Sequence, residues 1–377
     1  MKKYYAFVGS WSFRDEKRGL SIYSYDPDTA DMEYIRTVHE EIAVGNQYLD
    51  RDRGILYVTD ESGRQRGGAV GGYVQAFVLG KKEVLADFGG RETLLPKPSF
   101  FCLDHGKSYA LVSHHSNRGK VTKLIRRADG TFGSGTVTDD AGLVLLDVRE
   151  DGSLGAVRDV YLTPGEDPFG AHGLSHEHCV AVDPSGELIL VSDKGTDRLY
   201  SFRLDRDAGK LVLLHVTRVE DGCAPRYVVF HPALPVVYEN NEHRPLVNSY
   251  RYETKSGVLT QLESCPLAEE KEGLQSADLI VHPGGTLLYA SVRGADTIAV
   301  FDIDESGKLH KKQEIGSGGK NPRGLCLDPN GRFLLCANIE SGCIARFGVR
   351  GDGTLISAGE PVGAAIPGNI TVAEIEE

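Results

Sequence analysis

The 377-residue sequence has no surplus of basic residues, no long apolar run and no paired cysteines. Its formal net charge of −12 argues against a nucleic-acid or acidic-membrane partner, since both need a basic face to replace counterions. No stretch approaches the roughly 20 apolar residues of a membrane span, and the first residues, MKKYYAFVGSWSF, lack an apolar core of signal-peptide length. We therefore expect neither a nucleic-acid nor a membrane partner.

The seven cysteines are odd in number and scattered, mostly within strand-like runs such as GLCLDP and LLCAN. A disulfide framework or a zinc site would instead show paired C-x-x-C spacing. This usage favours buried thiols in a reducing compartment. We expect a cytoplasmic protein.

What the sequence does contain is a repeated unit of roughly 45 to 50 residues, a length typical of propeller blades. Each unit has a short apolar run, a turn built on Pro and Gly, a second apolar run that ends in polar residues, and a third run. Four clear copies begin at His178, Pro225, Ala277 and Pro322. Three weaker copies occupy residues 4–38, 46–79 and 98–154.

These copies predict an all-β fold, a seven-bladed β-propeller with four-stranded antiparallel blades, as one domain over residues 1–377. The first copy lacks its leading strand. We expect the strand-like tail, residues 366–375, to supply it and close the ring, which removes exposed sheet edges. Residues 118–141, rich in Gly and charge, are interpreted as a surface insertion or alternatively as an extra hairpin.

The repeat also predicts where polar side chains meet. In an antiparallel blade, the start of the first strand and the end of the second lie at the same end of the sheet. His231 and His282 fall in the turn between these strands, so we expect them on the opposite face. The positions expected to share one face near the ring axis are His176, His178, Arg226 and Arg323 at first-strand starts, and Glu61, His114, His115, Asp193, Asn241, Glu242, Arg293 and Asn338 at second-strand ends.

Each of these residues alone is also consistent with capping a turn or bridging two blades. Copies of a structural repeat should carry similar residues, however, and here the equivalent positions carry His, Arg and Glu in turn. This variation indicates a functional site.

The chain resembles the seven-bladed propeller lactonases, a family that includes the propeller-type 6-phosphogluconolactonases and 3-carboxy-cis,cis-muconate cyclase. The resemblance covers the chain well from about residue 144 onward. Its motifs are H-x-H before VxxDPxG (176–186), D-x-G-T-D-R (193–198), A-P-R and FHP (224–226, 230–232), N-E (241–242), R-G (293–294), IAVF (298–301), N-P-R-G (321–324) and G-R-F-L-L (331–335).

The resemblance implies hydrolysis of a sugar-acid lactone without a metal or other cofactor, on a small anionic or sugar-lactone substrate. It places catalytic groups on His178, Arg226, Glu242 and Arg293. Such a ring opening needs a base and a cation for the oxyanion, so we expect Glu242 or His178 as the base and the arginines as the cations. The residues expected to bind substrate are His114, His115, His176, Asp193, Asn241, Arg323 and Asn338.

Three alternatives stay open. A muconate-type cycloisomerase would use the same groups to add a carboxylate across a double bond and protonate the neighbouring carbon, and a lyase on a related acid would move a proton beside a carbonyl. A non-catalytic binding module is the second, because a fold does not determine a function. The third is a catalytic metal, since enough imidazole and carboxylate ligands converge on one face: His114, His115, His176, His178, Glu242 and His243.

The sequence also departs from the family pattern. Tyr227 stands where the family usually has His, Ser291 and Val292 precede Arg293 in place of an Asn, and residues 113–115 replace A-N-Y. The first copies, which are expected to shape the substrate pocket, match least. The identity of the substrate therefore stays open.

Overall fold

The computed structural model describes residues 2–12, 19–62, 71–80, 83–116, 120–163, 174–269 and 271–376. All regular structure in these ranges is β-strand. Accordingly, the described ranges contain no helix long and apolar enough to span a membrane.

The strands of the first three blades follow one another along the chain. Blade one holds β1 (Lys2–Ser10), β2 (Gly19–Tyr25) and β3 (Met32–Val38), and blade two holds β4 (Val44–Asp50), β5 (Ile55–Asp60), β6 (Tyr73–Val78) and β7 (Ala86–Glu92). Blade three holds β8 (Pro98–Leu103), β9 (Tyr109–His114), β12 (Ala141–Val148) and β13 (Leu154–Thr163), with β10 (Lys120–Arg126) and β11 (Phe132–Thr138) inserted between its second and third strands.

The next four blades repeat the pattern without such an insertion. Blade four holds β14 (Glu177–Val182), β15 (Ile189–Asp193), β16 (Arg198–Asp205) and β17 (Lys210–Arg218), and blade five holds β18 (Pro225–Phe230), β19 (Val236–Asn241), β20 (Leu246–Tyr252) and β21 (Leu259–Pro266). Blade six holds β22 (Gln275–Val281), β23 (Leu287–Arg293), β24 (Thr297–Ile303) and β25 (Leu309–Gly316). Blade seven holds β26 (Pro322–Leu327), β27 (Phe333–Asn338), β28 (Cys343–Val349), β29 (Leu355–Ser357) and β30 (Val362–Gly363), and the chain ends with β31 (Pro367–Glu376).

Ring closure depends on β31. The order in blade one is β3-β2-β1-β31, so the tail provides the innermost strand of the first blade. It pairs antiparallel with β1 from Lys2 opposite Glu376 to Gly9 opposite Asn369. The predicted seven-bladed propeller, closed by its C-terminal strand, is confirmed.

The predicted insertion forms a hairpin of its own. Strands β10 and β11 make a separate two-stranded sheet. The extra hairpin is therefore the observed form, although residues 118 and 119 lie outside the described ranges.

The apolar core is divided among the blade junctions. Each of the seven junctions has one cluster of buried side chains, with inward residues of two neighbouring blades packed together. Between blades two and three, for example, Tyr57 stacks on Phe101 with ring centroids 4.7 Å apart. Each blade is thus stabilised by both of its neighbours.

The turns between first and second strands lie at the far end of the blades from the strand starts. His231 accepts hydrogen bonds at Nδ1 from Ala233 N and Leu234 N, at 3.0 and 2.8 Å. In blade four, Asp183 Oδ1 similarly accepts from Leu188 N at 2.8 Å. The His and Asp residues of these copies stabilise the same turn, as expected from the sequence.

Ring closure can be tested with a buried charge in β31. Val372 is 0% exposed between β1 and the core of the blade seven to blade one junction. Val372→Asp should lower the free energy of unfolding by about 3–5 kcal/mol, because it buries an unpaired charge. Chemical denaturation would measure the loss, with Glu376→Asp at an exposed position of the same strand as control. Equal stability of the two variants would show that β31 is dispensable.

Candidate active site at the mouth of the ring

A register shift interrupts the innermost strand of every blade within its first two residues. In the seven inner strands, the register shifts after Pro98, Glu177, Pro225, Pro322, Val44, Ser276 and, in β31, around Gly368. An extra residue in one strand lies outside the ladder and its side chain is redirected. In blades four, five and seven this bulged residue is His178, Arg226 and Arg323.

The ends of the second strands lie beside these bulges. The first residue of each inner strand pairs with the last residue of the second strand, for example Glu177 with Asp193, and Pro225 with Asn241. This register confirms that strand starts and second-strand ends share one face. We call the axial opening on this face the mouth. It is formed by the residues Glu61, His115, His178, Lys194, Arg226, Glu242, Arg293 and Arg323.

Glu242 is at the centre of the charged cluster in the mouth. Its Oε2 lies 3.0 Å from Lys194 Nζ and 3.2 Å from Arg226 Nε, and its Oε1 lies 3.3 Å from an Arg293 guanidinium nitrogen. Burial by itself raises the pKa of Glu242, but the three cations outweigh it and hold the pKa below its ordinary value of 4.5. Glu242 is therefore an ionised carboxylate at neutral pH.

The cations around Glu242 differ in how much surface they present. The Arg226 side chain is 1% exposed, donates to Ala277 O, and lies over the Tyr227 ring with 4.7 Å to its centroid. The side chains of Lys194 and Arg293 are 16% and 14% exposed. Burial lowers the pKa of both groups. Lys194 and Arg293 are thus the cations of this cluster that a ligand can reach.

A second charged group lies on the side of blades seven and one. The Arg323 guanidinium stacks on the Trp11 ring, 3.8 Å from its centroid, and Trp11 Nε1 donates to Glu61 Oε2 at 2.9 Å. Burial lowers the pKa of Arg323 to about 10 and raises that of Glu61 above 4.5. Stacking leaves the edge of a guanidinium available for a carboxylate or phosphate.

Three histidines line the mouth between blades three and four. The rings of His115 and His176 stack 3.5 Å apart, and the His178 ring lies 5.2 Å from His115 and 5.3 Å from Tyr227. Burial, and for His178 the nearby Arg226, lowers the pKa of His115 and of His178 well below 6.5. Both rings are therefore neutral at physiological pH.

Four of the predicted binding residues occupy the last position of a second strand, and three of their side chains hydrogen-bond to neighbouring protein groups. Asp193 Oδ1 accepts from His176 N at 2.7 Å, Asn338 exchanges hydrogen bonds with Ser317, and the His114 ring lies 2.8 Å from Pro96 O. Asn241 lines a separate cavity of about 290 Å³ between blades four and five. The structure thus brings seven of the predicted residues together: His115, His176, His178, Arg226, Glu242, Arg293 and Arg323. The other four predicted residues are not part of this group: His114, Asp193, Asn241 and Asn338.

The residue that the sequence reasoning missed is Lys194. The side chains that reach the mouth from the second strands of blades two to five come one residue after the strand ends: Glu61, His115, Lys194 and Glu242. Lys194 is the residue written as x in the motif D-x-G-T-D-R. Aligning the four copies at that position, instead of at the last strand residue, would have identified it.

The two aspartates of that motif have structural contacts. Asp193 caps the start of its own inner strand, whereas Asp197 supports the next blade. Ala224, which precedes the Arg226 strand, has φ of 58°, a conformation unfavourable for a residue with a Cβ atom. Asp197 Oδ1 accepts from Ala224 N at 2.7 Å and holds it there. The motif therefore stabilises a strained backbone conformation two residues before Arg226.

A cavity of about 500 Å³ follows the axis below the mouth and is lined largely by apolar residues of the inner strands. Tyr227 lines it and also contacts Arg226 and His178. Asp278, whose pKa burial raises to about 6, accepts a hydrogen bond from Leu325 N at 2.7 Å in the next blade. The charged groups lie at the mouth, so we place the candidate active site there.

The histidines do not form a metal site with the neighbouring carboxylates. Within the described ranges, no group of three or more His, Cys, Asp or Glu residues is arranged to hold a metal ion. His243 is exposed. All seven cysteines are unpaired. The donor set therefore does not fit the metal alternative.

Comparison with known proteins agrees with this architecture. A profile described as "Lactonase, 7-bladed beta-propeller" matches residues 5–371. The chain belongs to this family. It is 24% identical over 351 residues to a 6-phosphogluconolactonase of Formosa agariphila, covering 90% of this chain and 91% of the relative. A Bacillus subtilis 6-phosphogluconolactonase is 24% identical over 355 residues, covering 92% and 91% of the two chains.

Among solved structures, the periplasmic gluconolactonase of Pseudomonas aeruginosa superposes with a TM-score of 0.83 at 22% identity, covering 98% of this chain and 99% of that one. This likeness supports the fold. The family membership and the curated relatives together identify the chain as a lactonase enzyme. The binding-module alternative is thereby set aside.

The charge cluster predicts a stability effect. Glu242→Gln should lower the free energy of unfolding by about 3–5 kcal/mol at pH 7, because it leaves buried cations uncompensated. Glu220→Gln, which breaks the exposed pair with Arg244, should cost under about 1 kcal/mol. Urea denaturation of both variants would compare them.

The lowered pKa of Glu242 also predicts how the stability of the protein depends on pH. The folded-state pKa of Glu242 lies below 4.5, so its contribution is fully present above that pH and is lost as pH falls through the lower value. The stability gap between wild type and Glu242→Gln should stay constant from pH 7 to about pH 5 and shrink only below pH 4.5. A gap that disappears between pH 7 and pH 5 would contradict the ionised cluster.

Proposed function

We propose that this lactonase hydrolyses the ester of a sugar-acid lactone that carries a carboxylate or phosphate, as a 6-phosphogluconolactonase does. The observation that supports it most is the Glu242 cluster, with Lys194, Arg226 and Arg293 around one carboxylate. With Arg323 the mouth has four cations against Glu61 and Glu242, in a chain of net charge −12. Such a local reversal of charge attracts an anionic ligand.

His178 is the proposed base. Both oxygens of Glu242 are within 3.3 Å of cations, and a carboxylate held this way is a weak proton acceptor. The His178 imidazole is neutral and lies beside the cluster on a bulge. It removes a proton from water as the water oxygen attacks the lactone carbonyl carbon. Glu242 positions the cations around the site.

The cations have two tasks in this scheme. Arg293, partly exposed and 3.3 Å from Glu242, stabilises the oxyanion of the tetrahedral intermediate. Arg323, stacked on Trp11 across the mouth, binds the carboxylate or phosphate of the substrate. The nearly inaccessible Arg226 fixes Glu242 and the Tyr227 ring, so its contribution is to position other groups.

A panel of lactones tests this proposal. Hydrolysis of 6-phosphogluconolactone, gluconolactone and a muconolactone would be followed by proton release, with and without chelator. Arg293→Gln should lower kcat by about 10²–10³-fold through loss of the oxyanion contact. Arg332→Gln, which breaks an exposed pair with Asp28 in the far-face region, is the control and should leave the rate unchanged.

The panel also separates the remaining candidates. Turnover that persists in chelator and falls in Arg293→Gln supports metal-free lactone hydrolysis. Turnover of the muconolactone alone, through reversal of ring closure without water uptake, would favour the cycloisomerase alternative. No rate above the spontaneous one with any of the three lactones would reject the proposal.

The pH profile gives a second test. The active form of His178 is neutral, and its pKa lies well below 6.5, so the rate should fall on acidification only below pH 6.5. His178→Ala should lower kcat by about 10²–10⁴-fold and remove this acid limb, because the base is absent. A His178→Ala variant that retains both the wild-type rate and the acid limb would move the base role to Glu242.

A further inference from the structure

The three cations around Glu242 differ in a property that matters for the second half of the reaction. A guanidinium remains protonated near neutral pH and is a very weak acid, whereas an ammonium group gives up a proton more readily. Arg226 and Arg293 can therefore stabilise charge but cannot serve as acids. Lys194 can do both.

The other titratable groups at the mouth are less suited to donate a proton. His115 and His178 are neutral in the resting site, so the proton that His178 takes from water during the attack is the only one that these two rings could pass to the leaving oxygen. Glu61 is 2% exposed and accepts a hydrogen bond from Trp11, and burial raises the pKa of the Tyr227 hydroxyl well above its usual range. Glu242 is ionised. Within the cluster of Glu242, Lys194, Arg226 and Arg293, Lys194 is the group that is both charged in the resting site and able to release a proton.

The geometry also favours Lys194. Its side chain enters the mouth from the residue after β15, and its Nζ lies 3.0 Å from Glu242 Oε2 with 16% of the side chain exposed. One of the three ammonium hydrogens is directed to Glu242, which leaves donors for a ligand. Burial and the neighbouring Arg226 and Arg323 make its proton easier to remove, although Glu242 opposes them.

We propose that Lys194 is the catalytic acid that protonates the leaving alkoxide oxygen when the lactone ring opens. This assignment rests on the proposed lactonase reaction. No metal, redox partner or covalent intermediate is needed for it.

Proton transfers accompany each bond change as the ring opens. His178 takes a proton from water while the water oxygen bonds to the carbonyl carbon and the carbonyl electron pair moves to oxygen. When the intermediate collapses, the carbon to ring-oxygen bond breaks, and its electron pair takes the Lys194 proton to give a hydroxyl group. The new carboxylic acid ionises to solvent, and the imidazolium proton returns to the Lys194 amine. The net reaction is lactone plus water to hydroxy acid.

A leaving-group comparison tests this role. Lys194→Arg retains the positive charge but removes the dissociable proton. An aliphatic lactone releases an alkoxide and needs the acid, whereas dihydrocoumarin releases a phenolate, whose conjugate acid has a pKa near 10 and needs little help. The variant should lose about 10²–10⁴-fold in kcat on the aliphatic lactone and less than about tenfold on dihydrocoumarin. Lys312→Arg, at an outer strand, is the matched control.

The pH profile provides a readout that holds even if wild type does not turn over dihydrocoumarin. Lys194 acts in its protonated form, and its pKa lies below 10.5, so wild-type kcat on the aliphatic lactone should fall at alkaline pH as that group deprotonates. This alkaline limb should be absent in Lys194→Arg. Thermal unfolding of both variants would verify that each is folded.

The outcomes are distinct. Equal losses of kcat on the two lactones would show that Lys194 acts only through its position beside Glu242, and an unchanged rate or a retained alkaline limb would reject its role as the acid. If wild-type protein hydrolyses no lactone at all, the proposed function fails instead, independently of Lys194.

Discussion

The pairing of β1 with β31 is the interaction on which the rest of the ring depends. A blade buries its apolar faces only against the blades on either side, and there is one buried cluster at each junction. Without the tail strand, the junction between blades seven and one would lose Ile370 and Val372 from its core. The mouth draws residues from blades two to seven, so its geometry is a property of the closed ring.

The mouth concentrates positive charge in a protein whose net charge is negative. Burying several cations together is unfavourable unless a counter-charge is present. Glu242 provides it, and Lys194, Arg226 and Arg293 take positions that are compatible with one carboxylate. The same arrangement keeps the nearby imidazoles neutral, because a further positive charge beside Arg226 would be repelled. One carboxylate thus determines both the positions and the protonation states of its neighbours.

The fold was predictable because the sequence repeats with the length of a propeller blade. Strand pairing within each blade then determines which residues lie close together. Arg226, Glu242 and Arg293 were found this way, and the family resemblance pointed to the same residues. Side-chain direction at a strand end was not predictable. Asp193 and Asn338 share the position of Arg293, yet they cap turns, because their short side chains reach neighbouring backbone or Ser317. Lys194 was missed because the copies were compared at the last residue of each second strand, whereas Lys194 follows that residue in blade four.

The bulges also affect which residues can change between related propellers. A bulged residue contributes nothing to the hydrogen-bond ladder, so replacing His178, Arg226 or Arg323 leaves the register of the sheet intact. The residues that pair in the sheet and the residues available to contact a ligand therefore occupy different positions of the same strand. New specificities can arise by single exchanges around the axis while the architecture persists, and substrate preference can drift through evolution faster than the propeller itself.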